Sequence, residues 1–131
     1  MIVDTSALIA VLHNEPDAAA FATILDAAPH CRISAANFFE TSIIVDARRR
    51  PNGGRHLDEL LRELNMIIEP VTEEQARIAR QVYRDYGRGS GHPAALNFGD
   101  CFAYALARST GEPLLFKGGD FAQTDIKPAL A

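Results

Sequence analysis

Seventeen Asp and Glu residues are spread along the 131-residue chain, and four of them stand where a solvated role does not suffice. Asp4 directly follows the apolar Ile2-Val3, and Asp120 follows Leu114-Leu115-Phe116 through a Lys-Gly-Gly turn. Glu40 has Ala36, Ile43 and Ile44 at helical spacing, with Asn37 the one polar exception. Asp100 has Leu96, Ala103 and Tyr104, with Ala107 a turn further. Both acids therefore lie on helix faces that pack inward. A buried carboxylate is costly unless it is paired, hydrogen-bonded or bound to a metal, and no Lys or Arg sits within a turn of either on its own helix. Each acid also has a structural reading: Asp4 as a helix cap, Asp120 as a turn residue, Asp100 as a first-turn acid facing the helix dipole. Glu40 is too deep in its helix for any of these. Gathered at one place, four carboxylates repel unless a cation sits among them. A hard divalent ion such as Mg²⁺ takes oxygen ligands and keeps waters, leaving room for phosphate. The chemistry expected of such a site is metal-assisted phosphodiester hydrolysis, which needs no side-chain nucleophile.

The elements that must position these acids alternate between short apolar runs and amphipathic helices. Strands are expected at Met1–Val3, Cys31–Ile33, Met66–Ile68 and Leu114–Phe116, with a short edge strand at Thr124–Ile126. Helices are expected over Thr5–Leu12, from an Asn14 cap with Pro16 in its first turn, and from a Ser34 cap to about Arg49. Further helices are expected through Leu57, Leu60, Leu61 and Leu64, from a Thr72–Gln75 capping box to about Tyr86, and over about Asn97–Ser109. Short, unalternating strands separated by helices predict an α/β fold, a three-layer α/β/α sandwich around a central parallel sheet. In such sheets ligands bind at the carboxyl ends of the strands, where Asp4 and Asp120 fall.

Length predicts one domain over 1–131. The net charge of −4 requires any nucleic-acid contact to rely on local basic patches and bound cations. Cys31 and Cys101 lack metal-ligand spacing and read as buried thiols of a reducing cytosol. No apolar run reaches membrane-span length, and no basic segment precedes an apolar one at Met-Ile-Val-Asp, so a cytoplasmic protein is expected.

Several segments together resemble the PIN-domain family, and within it the VapC toxins of bacterial toxin–antitoxin pairs. They are Ile2-Val3-Asp4-Thr5-Ser6-Ala7, Ser34 to Glu40, Leu96-Asn97-Phe98-Gly99-Asp100 through Ala107, and Pro113 through Phe121 with Thr124-Asp125-Ile126. The resemblance implies that Asp4, Glu40, Asp100 and Asp120 bind the metal and that Ser6 orients the first acid or touches metal-bound water. It further implies Mg²⁺- or Mn²⁺-dependent endoribonuclease cleavage of RNA, a homodimer, and neutralisation by a cognate antitoxin. Gly119 departs from the many relatives with a polar or acidic residue there, leaving Asp120 alone to supply the fourth carboxylate.

Other features compete for attention. Arg77, Arg80, Arg84 and Arg88 follow one another at helical spacing, and read either as a solvated face or as an RNA-phosphate or partner contact. Arg48, Arg49, Arg50 and Arg55 read likewise, or as dipole complements at a helix end. Lys117 is expected beside the acid pocket, on phosphate or on an acid. Gly87-Arg88-Gly89-Ser90-Gly91 lacks the strand before it and the Lys-Ser/Thr ending of a phosphate loop, and the four histidines show no paired zinc spacing. A phospho-acceptor receiver domain would want paired acids after the first strand and an Asp ending the third, where Glu69-Pro70 stands. A haloacid-dehalogenase-like phosphatase would want an acid where Ser6 stands. A PIN-like scaffold without catalysis would not need all four acids.

Overall fold

The computed structural model describes residues 1–130. In chain order the elements are β1 (Ile2–Val3), α1 (Thr5–Leu12), α2 (Ala18–Ala27), β2 (Arg32–Ser34), α3 (Ala35–Ala47), α4 (Gly53–Glu63), β3 (Ile67–Glu69), α5 (Glu73–Tyr86), α6 (Phe98–Thr110) and β4 (Leu114–Leu115), followed by a 3-10 turn at Phe121–Gln123. The four strands form one all-parallel sheet in the order β3-β2-β1-β4. This is the α/β/α sandwich that the sequence pattern predicts.

The layering follows from that order. The chain moves from β1 to β2 to β3 in one direction and then crosses back to β4 on the far side of β1. Right-handed crossovers moving in opposite directions place their helices on opposite faces. One face buries Val3, Ile33 and Leu115 against Leu8, Phe21, Val45 and Leu57 of α1 to α4. The other buries Ile2 and Leu114 against Val82 of α5 and Cys101, Tyr104 and Leu106 of α6. Consecutive residues of a strand point to opposite faces, so Ile2 and Val3 serve different cores. The direction of strand order reverses between β1 and β4, which makes the cleft beyond their carboxyl ends the expected ligand site.

Two local expectations fail. No strand forms at Thr124–Ile126; the chain bends there and pairs only as a bridge from Pro128 to Leu114. Local side-chain bonds compete with the ladder: Thr124 Oγ1 donates to Phe121 O and accepts from Ile126 N, and the Asp125 carboxylate is held by Tyr104 and Arg108. Asn14 does not cap α2 either. It adopts positive φ in the preceding turn, and α2 begins four residues later, after Asp17. Asp17 makes no capping bond because its carboxylate faces Lys117 at 3.1 Å.

Candidate active site

The four acids arrive on four separate segments at the carboxyl end of the sheet. Asp4 ends β1 and caps α1: its Oδ2 accepts from Ser6 N at 3.0 Å and from Ser6 Oγ at 2.6 Å. Ser6 Oγ in turn accepts from Lys117 N at 2.9 Å, tying the β4 loop to α1 across the cleft. Glu40 projects from α3, whose N-terminus Ser34 caps at the end of β2 by accepting from Ala36 N. Its Oε1 accepts from Thr5 Oγ1 at 2.5 Å and from Asn37 Nδ2 at 3.3 Å. Asp100 stands in the first turn of α6, where a reciprocal capping box binds it: Asp100 Oδ2 accepts from Asn97 N, and Asn97 Oδ1 accepts from Asp100 N. Asp120 is exposed, in the turn between β4 and the buried Phe121.

A pattern runs through three of these side chains. In Asp4, Glu40 and Asp100 one carboxylate oxygen is held by the protein, and among the described residues the other accepts no hydrogen bond from it. For Asp4 the free oxygen, Oδ1, is buried as well, and the whole residue is only 4% exposed.

Electrostatics agree that these groups are neighbours. Burial pushes the Asp4 carboxyl up to about 7, the charges of Asp100 and Glu40 add to the rise, and the two Ser6 hydrogen bonds oppose it. Burial likewise raises Asp100, reinforced by Asp120 and Glu40 and opposed by the Asn97 amide and by Arg88. Among the described residues none of the four acids is ion-paired. Nor do any three His, Cys, Asp or Glu side chains there form a closed metal cage. Like charges with nothing cationic between them keep their distance. All the donors are hard oxygens, and the unpartnered, buried Asp4 Oδ1 is an atom that a divalent cation would satisfy, so the residues present fit such an ion.

Lys117 departs from expectation. Its ammonium turns away from the four acids to Glu15 at 2.7 Å and Asp17 at 3.1 Å, carboxylates of the loop between α1 and α2. Cys31 and Cys101 are buried free thiols, and burial raises both.

The sequence reading missed three residues that organise the site. Thr5 bonds both Glu40 Oε1 and Asn37 O, linking the residue after Asp4 to α3. Asn37, fully buried, donates to Glu40 Oε1 and to Gly99 O at 2.9 Å, linking α3 to the residue before Asp100. Gly99 lies against the Glu40 carboxylate, leaving no room for a side chain. A signal existed for Asn37, the lone amide on an otherwise apolar helix face.

The sequence model of the PIN domain matches residues 1–127. Ribonuclease VapC28 of Mycobacterium tuberculosis is 57% identical over 130 residues, covering 99% of this chain and 98% of the relative. The chain belongs to the VapC group of the PIN-domain family. Another relative in this group, ribonuclease VapC42 of the same species, is 52% identical, with 98% of each chain covered. The fold recurs among solved structures. VapC20 of Mycobacterium tuberculosis, described as a sarcin-ricin loop cleaving toxin, superposes with a TM-score of 0.75 at 19% identity, covering 95% of both chains. A toxin–antitoxin complex from Klebsiella pneumoniae gives 0.69 at 17%, covering 92% of this chain and 89% of that one. At those identities the likeness concerns the fold alone.

Proposed function

We propose that this VapC-type PIN domain is a divalent-metal-dependent endoribonuclease, the toxin of a toxin–antitoxin pair neutralised by a cognate antitoxin and acting in the cytoplasm as a homodimer. Its closest support in the molecule is the shared design of Asp4, Glu40 and Asp100, each anchored through one oxygen and open at the other. Relatives that are 57% and 52% identical over nearly the whole chain bear the name ribonuclease, and a neighbour in fold is a toxin–antitoxin complex.

In this reading Asp4, Glu40, Asp100 and Asp120 hold Mg²⁺, with Mn²⁺ substituting. The ion supplies Lewis acidity and charge neutralisation for hydrolysis of an RNA phosphodiester. The chain's own residues do the positioning. Ser6 fixes the rotamer of Asp4 through Oδ2 and is itself fixed by the Lys117 amide. Thr5 and Asn37 do the same for Glu40, and Asn97 for Asp100. Preorganisation of this kind removes the cost of ordering the ligands when cation and substrate arrive. Asp120, on the exposed turn, adds negative charge from the β4 side.

The test is cleavage of total RNA by antitoxin-free protein with Mg²⁺ or Mn²⁺, comparing wild type with Asp4→Asn and Asp100→Asn. The reading expects cleavage by wild type only, abolished by EDTA and restored by fresh cation. Equal cleavage by all three proteins, or cleavage that survives chelation, refutes it.

A further inference from the structure

Three of the four acids are each held through one carboxylate oxygen, but among the described residues the Asp120 carboxylate accepts no hydrogen bond. Its turn offers little support. Gly118 and Gly119, just before it, make no hydrogen bond there, and a Cβ on either would meet nothing within 4 Å. Gly118 takes a φ of +99°, open to glycine at no steric cost. Two adjacent glycines without packing leave the backbone free, so the ends of the turn decide where Asp120 stands. The far end is fixed by Phe121, which is buried and packs on Phe116 with ring centroids 5.2 Å apart. The near end is Lys117.

Lys117 is held twice. Its amide donates to Ser6 Oγ at 2.9 Å, the hydroxyl that also bonds Asp4 Oδ2. Its ammonium lies 2.7 Å from Glu15 Oε1 and 3.1 Å from Asp17 Oδ1. The first contact is to the opening turn of α1, the second to the segment just after that helix. That segment is itself braced: Glu15 N donates to Ala10 O and Ala18 N donates to Glu15 O, both at 2.9 Å. The Lys117 side chain is 36% exposed, so these ion pairs add little to global stability. What they restrict is where the backbone at Lys117 can go.

We propose that Lys117 is a positioning residue for Asp120. Clamped by Glu15 and Asp17, it fixes the near end of the glycine turn and keeps the fourth carboxylate close to Asp100. The inference rests on the metal-nuclease reading and extends it to three charged residues outside the set of four acids. The charge of Asp120 already reaches Asp100, whose carboxyl it helps to raise. Like charges push apart, and Asp120, on an unpacked turn, is the acid most able to swing outward. The clamp opposes that swing. Its loss leaves the fourth ligand disordered before a cation arrives, which weakens binding even though no ligand has been removed.

Mn²⁺ binding to RNA-free protein, followed by the electron paramagnetic resonance signal of the free ion, tests this. By charge alone, loss of the Lys117 cation should tighten binding, because a repulsive charge is gone. Positioning requires the opposite: Lys117→Met is expected to weaken Mn²⁺ binding about tenfold, as when a metal ligand loses its supporting partner. Since Lys117 acts through Asp120, Lys117→Met/Asp120→Asn should bind no more weakly than Asp120→Asn alone. In Glu15→Gln/Asp17→Asn, metal-free hydrogen exchange at the Lys117 amide should speed up about tenfold, with exchange in α6 as in wild type. Tighter or unchanged Mn²⁺ binding by Lys117→Met, or losses that add in the double variant, overturns the inference while leaving the metal reading intact. Wild-type protein that binds no Mn²⁺ removes the metal reading instead, and unchanged exchange at Lys117 separately removes the clamp.

Discussion

Gly99 and Glu40 meet across the boundary between α6 and α3, and a Cβ on Gly99 would overlap the Glu40 carboxylate. The contact is reinforced by Asn37, whose amide donates both to Glu40 Oε1 and to Gly99 O. Gly99→Ala should therefore leave the fold in place, because alanine favours a helix, yet push Glu40 out of position. Displacement of a catalytic group by about 1 Å costs on the order of a hundredfold in rate. We expect RNA cleavage to fall by about that factor while the thermal melting temperature changes by only a few degrees; cleavage at the wild-type rate would show that Glu40 has no positional role.

Thr5 provides a subtler test. Thr5→Val preserves shape but removes the 2.5 Å hydrogen bond to Glu40 Oε1. The loss should cost about 1–2 kcal/mol in stability and lower kcat about tenfold, while Thr5→Ser restores both. If Val and Ser behave alike, the hydroxyl is not what matters.

Asp4 should separate function from stability. Its carboxyl is buried, pushed up to about 7, and surrounded by like charge. Asp4→Asn should abolish cleavage and yet raise the stability of the metal-free protein by on the order of 2 kcal/mol, since each pKa unit corresponds to about 1.4 kcal/mol and part of the strain relaxes. Wild type should gain melting temperature on addition of Mg²⁺, and the variant should gain little. A variant less stable than wild type in EDTA would contradict this account.

Asp125, held by two side chains of α6, sets part of the acid stability. Tyr104 donates to its carboxylate at 2.5 Å and Arg108 at 2.6 Å, and these partners hold it below the usual carboxylate range. A carboxyl lowered in the folded state contributes stability that is complete above the unfolded value, about 3.9, and is lost as pH falls through the lowered one. Denaturant unfolding in EDTA should show Asp125→Asn less stable than wild type at pH 7, with the gap closing below about pH 4. A gap independent of pH would remove the charge from the explanation.

Much of the fold was legible because it rests on local patterns. Apolar runs marked all four strands to within a residue or so, and the caps at Ser34 and Thr72 were visible in side-chain chemistry. Asp4 and Asp120 were marked by their position after strands. Glu40 and Asp100 were marked by apolar neighbours at helical spacing. What escaped depends on partners remote in the chain. Lys117 joins Glu15 and Asp17 about a hundred positions away, a pairing no periodicity encodes. That same pairing occupies Asp17, the residue that stands before α2 where Asn14 was the expected cap. The Asn97–Asp100 box was visible in spacing but was read only as a charge facing the dipole, so the double duty of Asp100 went unseen.

The brevity of β1 has one last effect. With two residues, the central strand has no spare length: Ile2 belongs to one core, Val3 to the other, and the very next position carries Asp4. Deleting a single residue here would send each side chain to the wrong layer and swing the carboxylate off the rim in the same stroke. Loss of structure and loss of chemistry are thus joined in one short segment, and neither can drift without the other.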